Sequence, residues 1–318
     1  MVRYPPRSAT FTTVAGRPPP CESREQTVPR CHANGIEIEY DTFGAPSDPA
    51  LLLVMGLSMQ LTGWEPDLCK RFADRGFYVI RFDNRDAGLS THLDAAPVPN
   101  LGAVLSGDAS EVTYLLSDMA LDAVGLLDAL GIRAAHVVGA SMGGMIVQEL
   151  LLHHPERLLS ACSIMSTTGS PDVGHPSPDA AAMLLTPSPA TRAEAIEQGV
   201  ATWRLLQSPA YPMPESVIRD EQAASYDRCY YPAGGVRQLV AILCSPERTA
   251  GLKAVGTPTL VLHGESDPLI NVSGGRATAE AVPDAILRTY PGMGHDLPRE
   301  LWDSFVEEIV ANSARAEQ

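Results

Sequence analysis

From Ile36 onward the chain alternates between two kinds of apolar pattern. Ile36, Ile38 and Tyr40 are interleaved with acidic residues, the period-two signature of a half-exposed strand, and residues 51–55 form an unbroken apolar run that stops at Gly56. Later runs are each followed by a stretch of helical period. Trp64, Leu68 and Phe72 recur on one helix face that ends at Gly76, residues 78–82 read as a strand, and Leu116, Ala120, Val124 and Leu127 mark a second face closed near Gly131. A strand over residues 134–138 then leads into a helix stopped by Pro155, and another strand lies near residues 159–165. Apolar runs that alternate with amphipathic helices predict an α/β fold: a mainly parallel central sheet with helices on both faces.

Between about residues 166 and 250 the rhythm breaks. Pro171, Pro176, Pro178, Pro187 and Pro189 punctuate loops, three helical patterns cover residues 196–206, 214–230 and 236–243, and no stretch reads as a strand. A helical cap over residues 167–250 is therefore expected, inserted into a core formed by residues 31–166 and 251–318. Strands return at residues 259–263 and 286–290, and a last helix carries Trp302, Phe305, Val306, Ile309 and Val310 on one stripe. The first 30 residues hold six prolines and five arginines with no period, and are expected to form a tail outside the fold.

Composition narrows the function. With 23 basic against 38 acidic residues, the net charge of −15 opposes binding to nucleic acid and to anionic membrane surfaces. The six cysteines show neither paired spacing nor histidine partners, so no metal site and no disulfide framework is expected, and the thiols read as mostly buried and free. No apolar run reaches the roughly 18–20 residues that span a bilayer, and no signal-peptide core opens the chain; a cytoplasmic location is the default expectation.

Open parallel sheets place ligand sites at the carboxyl ends of their strands. Four such ends carry reactive groups here. Gly139-Ala140-Ser141-Met142-Gly143 lies between a strand and a helix, the context that exposes a serine hydroxyl on a sharp turn, with small flanking residues where a Cβ would collide. Serine is a weak nucleophile near neutral pH and needs an imidazole base, which in turn needs a carboxylate to hold its tautomer. His295, in the loop Pro291-Gly292-Met293-Gly294-His295, is the preferred base, and Asp267, in His263-Gly264-Glu265-Ser266-Asp267-Pro268, the preferred acid. Glu265 and Asp172 are weaker acid candidates, and His153, His154 and His263 read as structural. The main-chain N–H groups of Met142 and Leu57 are the expected oxyanion donors. Asp83-Asn84-Arg85-Asp86-Ala87-Gly88-Leu89-Ser90 reads as a loop brace whose arginine and aspartates pair with each other.

With those residues in place, residues 30–312 resemble the α/β-hydrolase superfamily, whose nucleophile, acid and base follow in the order Ser141, Asp267, His295. Leu53-Val54-Met55-Gly56, the segment from Asp83 to Ser90, the serine turn and the two later loops together resemble the aclacinomycin methylesterase-like hydrolases. That resemblance implies cleavage of a carboxylic methyl ester on a polyketide-like molecule by a serine triad without a cofactor. Leu57 stands where that subgroup often has glycine; its side chain leaves the N–H available and narrows the pocket.

The expected activity is cofactor-independent hydrolysis of a small-molecule carboxylic ester through an acyl-enzyme. Lactone opening, carbon–carbon bond hydrolysis and acyl transfer use the same triad and stay open, as does a non-catalytic binding role of a different class, which predicts a broken triad. Met59, Trp64, Trp203, Tyr211, Tyr226 and Tyr230 are candidates to line an apolar pocket, although aromatic residues at such spacing are often plain core.

Overall fold

The computed structural model of the chain describes residues 29–317. Residues 1–28 of the expected tail lie outside the described residues, and Arg30 already belongs to the first strand. β1 (Arg30–Ala33), β2 (Ile36–Phe43), β3 (Ala50–Val54), β4 (Tyr78–Phe82), β5 (Ala135–Ala140), β6 (Leu158–Ile164), β7 (Thr259–Gly264) and β8 (Ile286–Tyr290) form one sheet in the order β1-β2-β4-β3-β5-β6-β7-β8. The β1/β2 and β2/β4 pairs are antiparallel, and every other pair is parallel.

The described helices, in chain order, are α1 (Pro66–Ala73), α2 (Leu101–Leu105), α3 (Leu116–Ala129), α4 (Met142–His153), α5 (Pro178–Leu184), α6 (Arg192–Leu206), α7 (Glu215–Arg228), α8 (Pro232–Cys244), α9 (Thr249–Leu252), α10 (Ser273–Ala281) and α11 (Trp302–Ser313).

Strand β3 shows why a continuous apolar run was needed. Side chains alternate across a strand, so Leu52 and Val54 enter one core and Leu51 and Leu53 the other. Helices α3 and α4 cover the first core with Leu116, Met119, Leu126, Ile146 and Leu150; α1 and α11 cover the second with Leu68, Phe72, Trp302, Phe305 and Ile309. Each such large side chain contributes about 1.5–3 kcal/mol relative to an exposed position. Strand β2 departs from simple alternation, because Glu39 is buried as well as Ile38. Arg30 donates to Glu39 at 2.6 Å, so the extra strand β1 supplies the charge partner that burial requires.

Between β6 and β7 the described residues contain no strand. Helices α6, α7 and α8 occupy the three stretches that showed helical period, and Ile196, Val200 and Ile218 form a small core of their own with Trp203 and Met213. Helix α5 lies in a stretch read as proline-punctuated loop. Its start is a capping signal: Ser177 accepts from the Ala180 N–H and Pro178 takes the first helical position, where its missing N–H costs nothing.

The loop from Asp83 to Ser90 is a brace, but its charges do not pair with each other. Arg85 binds Asp122 on α3, Asp83 binds Arg228 at the end of α7, and Asp86 binds Arg237 on α8. The loop therefore ties α7 and α8 to the sheet. Arg237 forks onto Asp86 at 2.8 and 2.9 Å, and both side chains are almost wholly buried. Arg237→Leu leaves the Asp86 carboxylate buried without its partner, and is expected to cost about 3–5 kcal/mol in denaturant unfolding. A loss under about 1 kcal/mol would mean that solvent reaches the pair.

Candidate active site

Ser141 sits at the junction of β5 and α4 with φ 57° and ψ −117°, a left-handed conformation that a side-chain-bearing residue adopts only when its surroundings enforce it. The surroundings do enforce it. Its N–H donates to Ile164 O at 2.9 Å, and its carbonyl accepts from Ser166 Oγ at 2.8 Å. Glycine is required on both sides: a Cβ on Gly139 would strike the carbonyl of Gly143, and one on Gly143 the carbonyl of Val54. That close approach brings the start of α4 against the end of β3, so the two proposed oxyanion donors come from adjacent strand ends.

His295 lies after β8, on the loop expected to carry the base. Its Nδ1 is 2.7 Å from Asp267 Oδ2 and its Nε2 is 3.0 Å from Ser141 Oγ. An ionised carboxylate only accepts, so Nδ1 carries the proton and Nε2 is left to accept from the serine hydroxyl. Asp267 Oδ1 accepts from the N–H groups of Leu269 at 2.8 Å and Ile270 at 2.9 Å, in the turn that Pro268 begins. Burial alone would raise the Asp267 pKa; the His295 imidazole and hydrogen bonds from His263 and His295 outweigh it and hold the carboxyl below the usual carboxylate range. Of the other acid candidates, Asp172 and Glu265 are exposed, and Glu265 accepts from Thr289 Oγ1.

The loop that carries His295 rests on the end of α6 and the residues just after it. His295 N–H donates to Leu206 O at 2.7 Å, Gly294 N–H donates to Ser208 Oγ at 2.8 Å, and the Ser208 hydroxyl donates to Asp296. These contacts hold the imidazole over the sheet edge from the end of α6. Burial raises the Asp296 carboxyl pKa, against the lowering effect of the Ser208 donors.

Two neighbours of the site went unrecognised in the sequence. His263, read there as structural, is fully buried at the end of β7, with Nε2 2.8 Å from Ile270 O and 3.5 Å from Asp267 Oδ2. Its place four residues before the acid, at the end of the strand that leads to it, was the available signal. Asn84 donates to Met55 O at 2.9 Å, beneath the Gly56-Leu57 turn; nothing in its local pattern separated it from an ordinary turn residue.

The aromatic candidates are placed differently from one another. Trp64 is buried in the core under α1 and α11, and Trp203 packs against the small cluster of Ile196, Val200 and Ile218. Tyr226 stacks on Tyr230 with centroids 4.6 Å apart, and the Tyr230 hydroxyl donates to Pro189 O. Tyr211 is half-buried on the segment after α6, and Met59, on the Leu57 turn, is exposed. The thiols follow burial: among the described residues Cys69, Cys162 and Cys229 are buried and Cys31 and Cys244 half-buried, Cys229 Sγ lies 3.7 Å from His92 Nε2, and burial pushes Cys69 up to about 12.

Residues 49–298 match a protein family described by its alpha/beta hydrolase fold. Rhodomycin D methylesterase DauP of Streptomyces sp. (strain C5) is 30% identical over 304 residues, covering 88% of this chain and 96% of that protein. Rhodomycin D methylesterase DnrP of Streptomyces peucetius is 31% identical over 302 residues, with the same coverage. Among solved structures, the enol-lactonase from Burkholderia xenovorans LB400 superposes with a TM-score of 0.71 at 20% identity, over 90% of this chain and all of that one. On the sheet order, the family match and these relatives together, the chain belongs to the α/β-hydrolase family.

Proposed function

We propose that the protein hydrolyses a carboxylic methyl ester on a hydrophobic, polyketide-like small molecule through the triad Ser141, His295 and Asp267. The observation that carries the reading is the unbroken relay from Asp267 Oδ2 to His295 Nδ1 at 2.7 Å and from His295 Nε2 to Ser141 Oγ at 3.0 Å. His295 takes the hydroxyl proton as Ser141 Oγ adds to the ester carbonyl. The N–H groups of Leu57 and Met142 hold the oxyanion that forms, and Asp267 steadies the imidazolium. Collapse of the tetrahedral intermediate expels the alcohol, which leaves with the proton from His295. Water, deprotonated by the same imidazole, then adds to the acyl-serine and releases the acid. The sum is ester plus water to acid plus alcohol, and no step draws on a cofactor. A role limited to binding has no use for a relay held at these distances.

The substrate class rests on the two rhodomycin D methylesterases, which match over nearly their whole length. Incubation with rhodomycin D and with p-nitrophenyl acetate separates substrate from chemistry. The expected result is release of methanol and the free acid from rhodomycin D, with a kcat/KM above that for the acetate. Turnover of the acetate alone would keep the esterase chemistry and remove the methyl ester assignment.

A further inference from the structure

The turn that offers the Leu57 N–H is held from two sides, and one of them is the cap. Met59 N–H donates to Gly56 O at 3.2 Å, closing a four-residue turn whose third residue, Ser58, has φ 60°. Turns of this shape usually place glycine third; a serine there persists only if something else secures the backbone. Asn84 secures the entry by donating to Met55 O. Gln238 secures the exit: its side-chain oxygen accepts from the Ser58 N–H at 2.8 Å.

Gln238 is built to do this and little else. It is fully buried on α8, and its amide nitrogen donates to Arg85 O at 2.8 Å, which fixes the amide with its oxygen toward Ser58. The preceding residue is the Arg237 that locks onto Asp86, so the helix cannot slide. The first turn of α8 presses on the same place: a Cβ on Gly235 would strike the Ser58 hydroxyl.

The two peptide units that flank Leu57 are thus both pinned. One carries the Leu57 N–H and has its carbonyl, Gly56 O, tied to Met59. The other has its N–H, that of Ser58, tied to Gln238. We propose that Gln238 is a positioning residue of the cap that aims the Leu57 N–H at the oxyanion, so that the hole is completed only when α8 is docked. The inference rests on the ester-hydrolase reading above.

Two full-length variants test it, with p-nitrophenyl acetate as substrate and a trifluoromethyl ketone, which forms a hemiketal oxyanion on the serine, as transition-state probe. Gln238→Met keeps the length and removes both hydrogen bonds. It is expected to lower kcat and weaken the ketone by the same factor, about 10–100-fold, with KM within about twofold; deleting a donor outright costs about 10²–10³-fold. Gln238→Glu keeps an acceptor facing Ser58 and should restore kcat and ketone affinity to within about threefold, a rescue that a merely structural role would not give.

Wild-type kcat and ketone affinity in a folded Gln238→Met protein would overturn the proposal. So would equal losses in the two variants, since these would trace to the Arg85 contact. Should Gln238→Met fail to fold, Gln238→Glu decides alone: retained ketone affinity supports the proposal, and a loss beyond about tenfold in a folded protein overturns it. If Ser141→Ala were as active as wild type, the reading beneath would fail first, a result distinct from any of these.

Discussion

Ser141→Ala is expected to lower kcat for p-nitrophenyl acetate by about 10⁴–10⁶-fold, with the protein folded and KM little changed. The size follows from the proposed triad acting as a unit. Without the hydroxyl, His295 has no proton to take, and only the oxyanion donors and the bound geometry remain to speed attack by water. Folding is spared because the turn is held by main-chain groups of Ser141, bonded to Ile164 and Ser166, and not by its side chain. Alanine tolerates the positive φ no worse than serine does. A decrease of less than about tenfold would mean that another nucleophile does the work.

Asp267→Asn is expected to cost about 10⁴-fold in kcat, nearly as much, although the change is isosteric. The reason lies in the two N–H groups of Leu269 and Ile270, which donate to Oδ1. They would force the asparagine amide to keep its oxygen at that position and turn its NH₂ toward His295. An NH₂ donates, so Nδ1 must accept and the ring proton moves to Nε2, which then faces Ser141 Oγ as a donor. The base arrives with its acceptor occupied. Measured kcat within about tenfold of wild type would show that the imidazole does not depend on Asp267 for its tautomer. Asp267→Asn should remain folded and keep its affinity for a competitive carboxylate inhibitor, which confines the effect to the chemical step.

The central strands and the strand ends that bring Ser141, His295 and Asp267 together were legible in the sequence because both obey local rules. A strand buried on two faces, such as β3, is a continuous apolar run, and a parallel sheet puts its reactive groups after strand ends, where Ser141, Asp267 and His295 all fall. What escaped was set by contacts between distant segments. The Asp83 to Ser90 loop reads as self-paired, since nothing in its sequence announces that Asp83 and Asp86 face arginines 145 and 151 positions later. Gln238 is one of two adjacent buried polar residues on α8, and its meaning appears only when it is seen to meet Ser58. Helix α10 was hidden by Gly274 and Gly275, which disfavour helix; Gly275 lets the backbone pass against the His263 ring, and Gly274 lets it pass against Ser166 O and Thr167. Trp64 and Trp203 show the limit of reading a pocket from aromatic residues: helical spacing gives a face, but the tertiary contacts decide whether that face meets a core or a cavity.

The most direct test of the account is covalent capture of the nucleophile. A fluorophosphonate reacts only where an activated oxygen can displace fluoride from phosphorus, with the base taking the hydroxyl proton. Intact mass and peptide mapping of the active, full-length protein should show a single adduct, on the peptide that holds Ser141, appearing in step with loss of esterase activity and slowed strongly by Asp267→Asn. Complete inactivation with the adduct on any other residue, or an active protein that takes up no phosphonate, would contradict it.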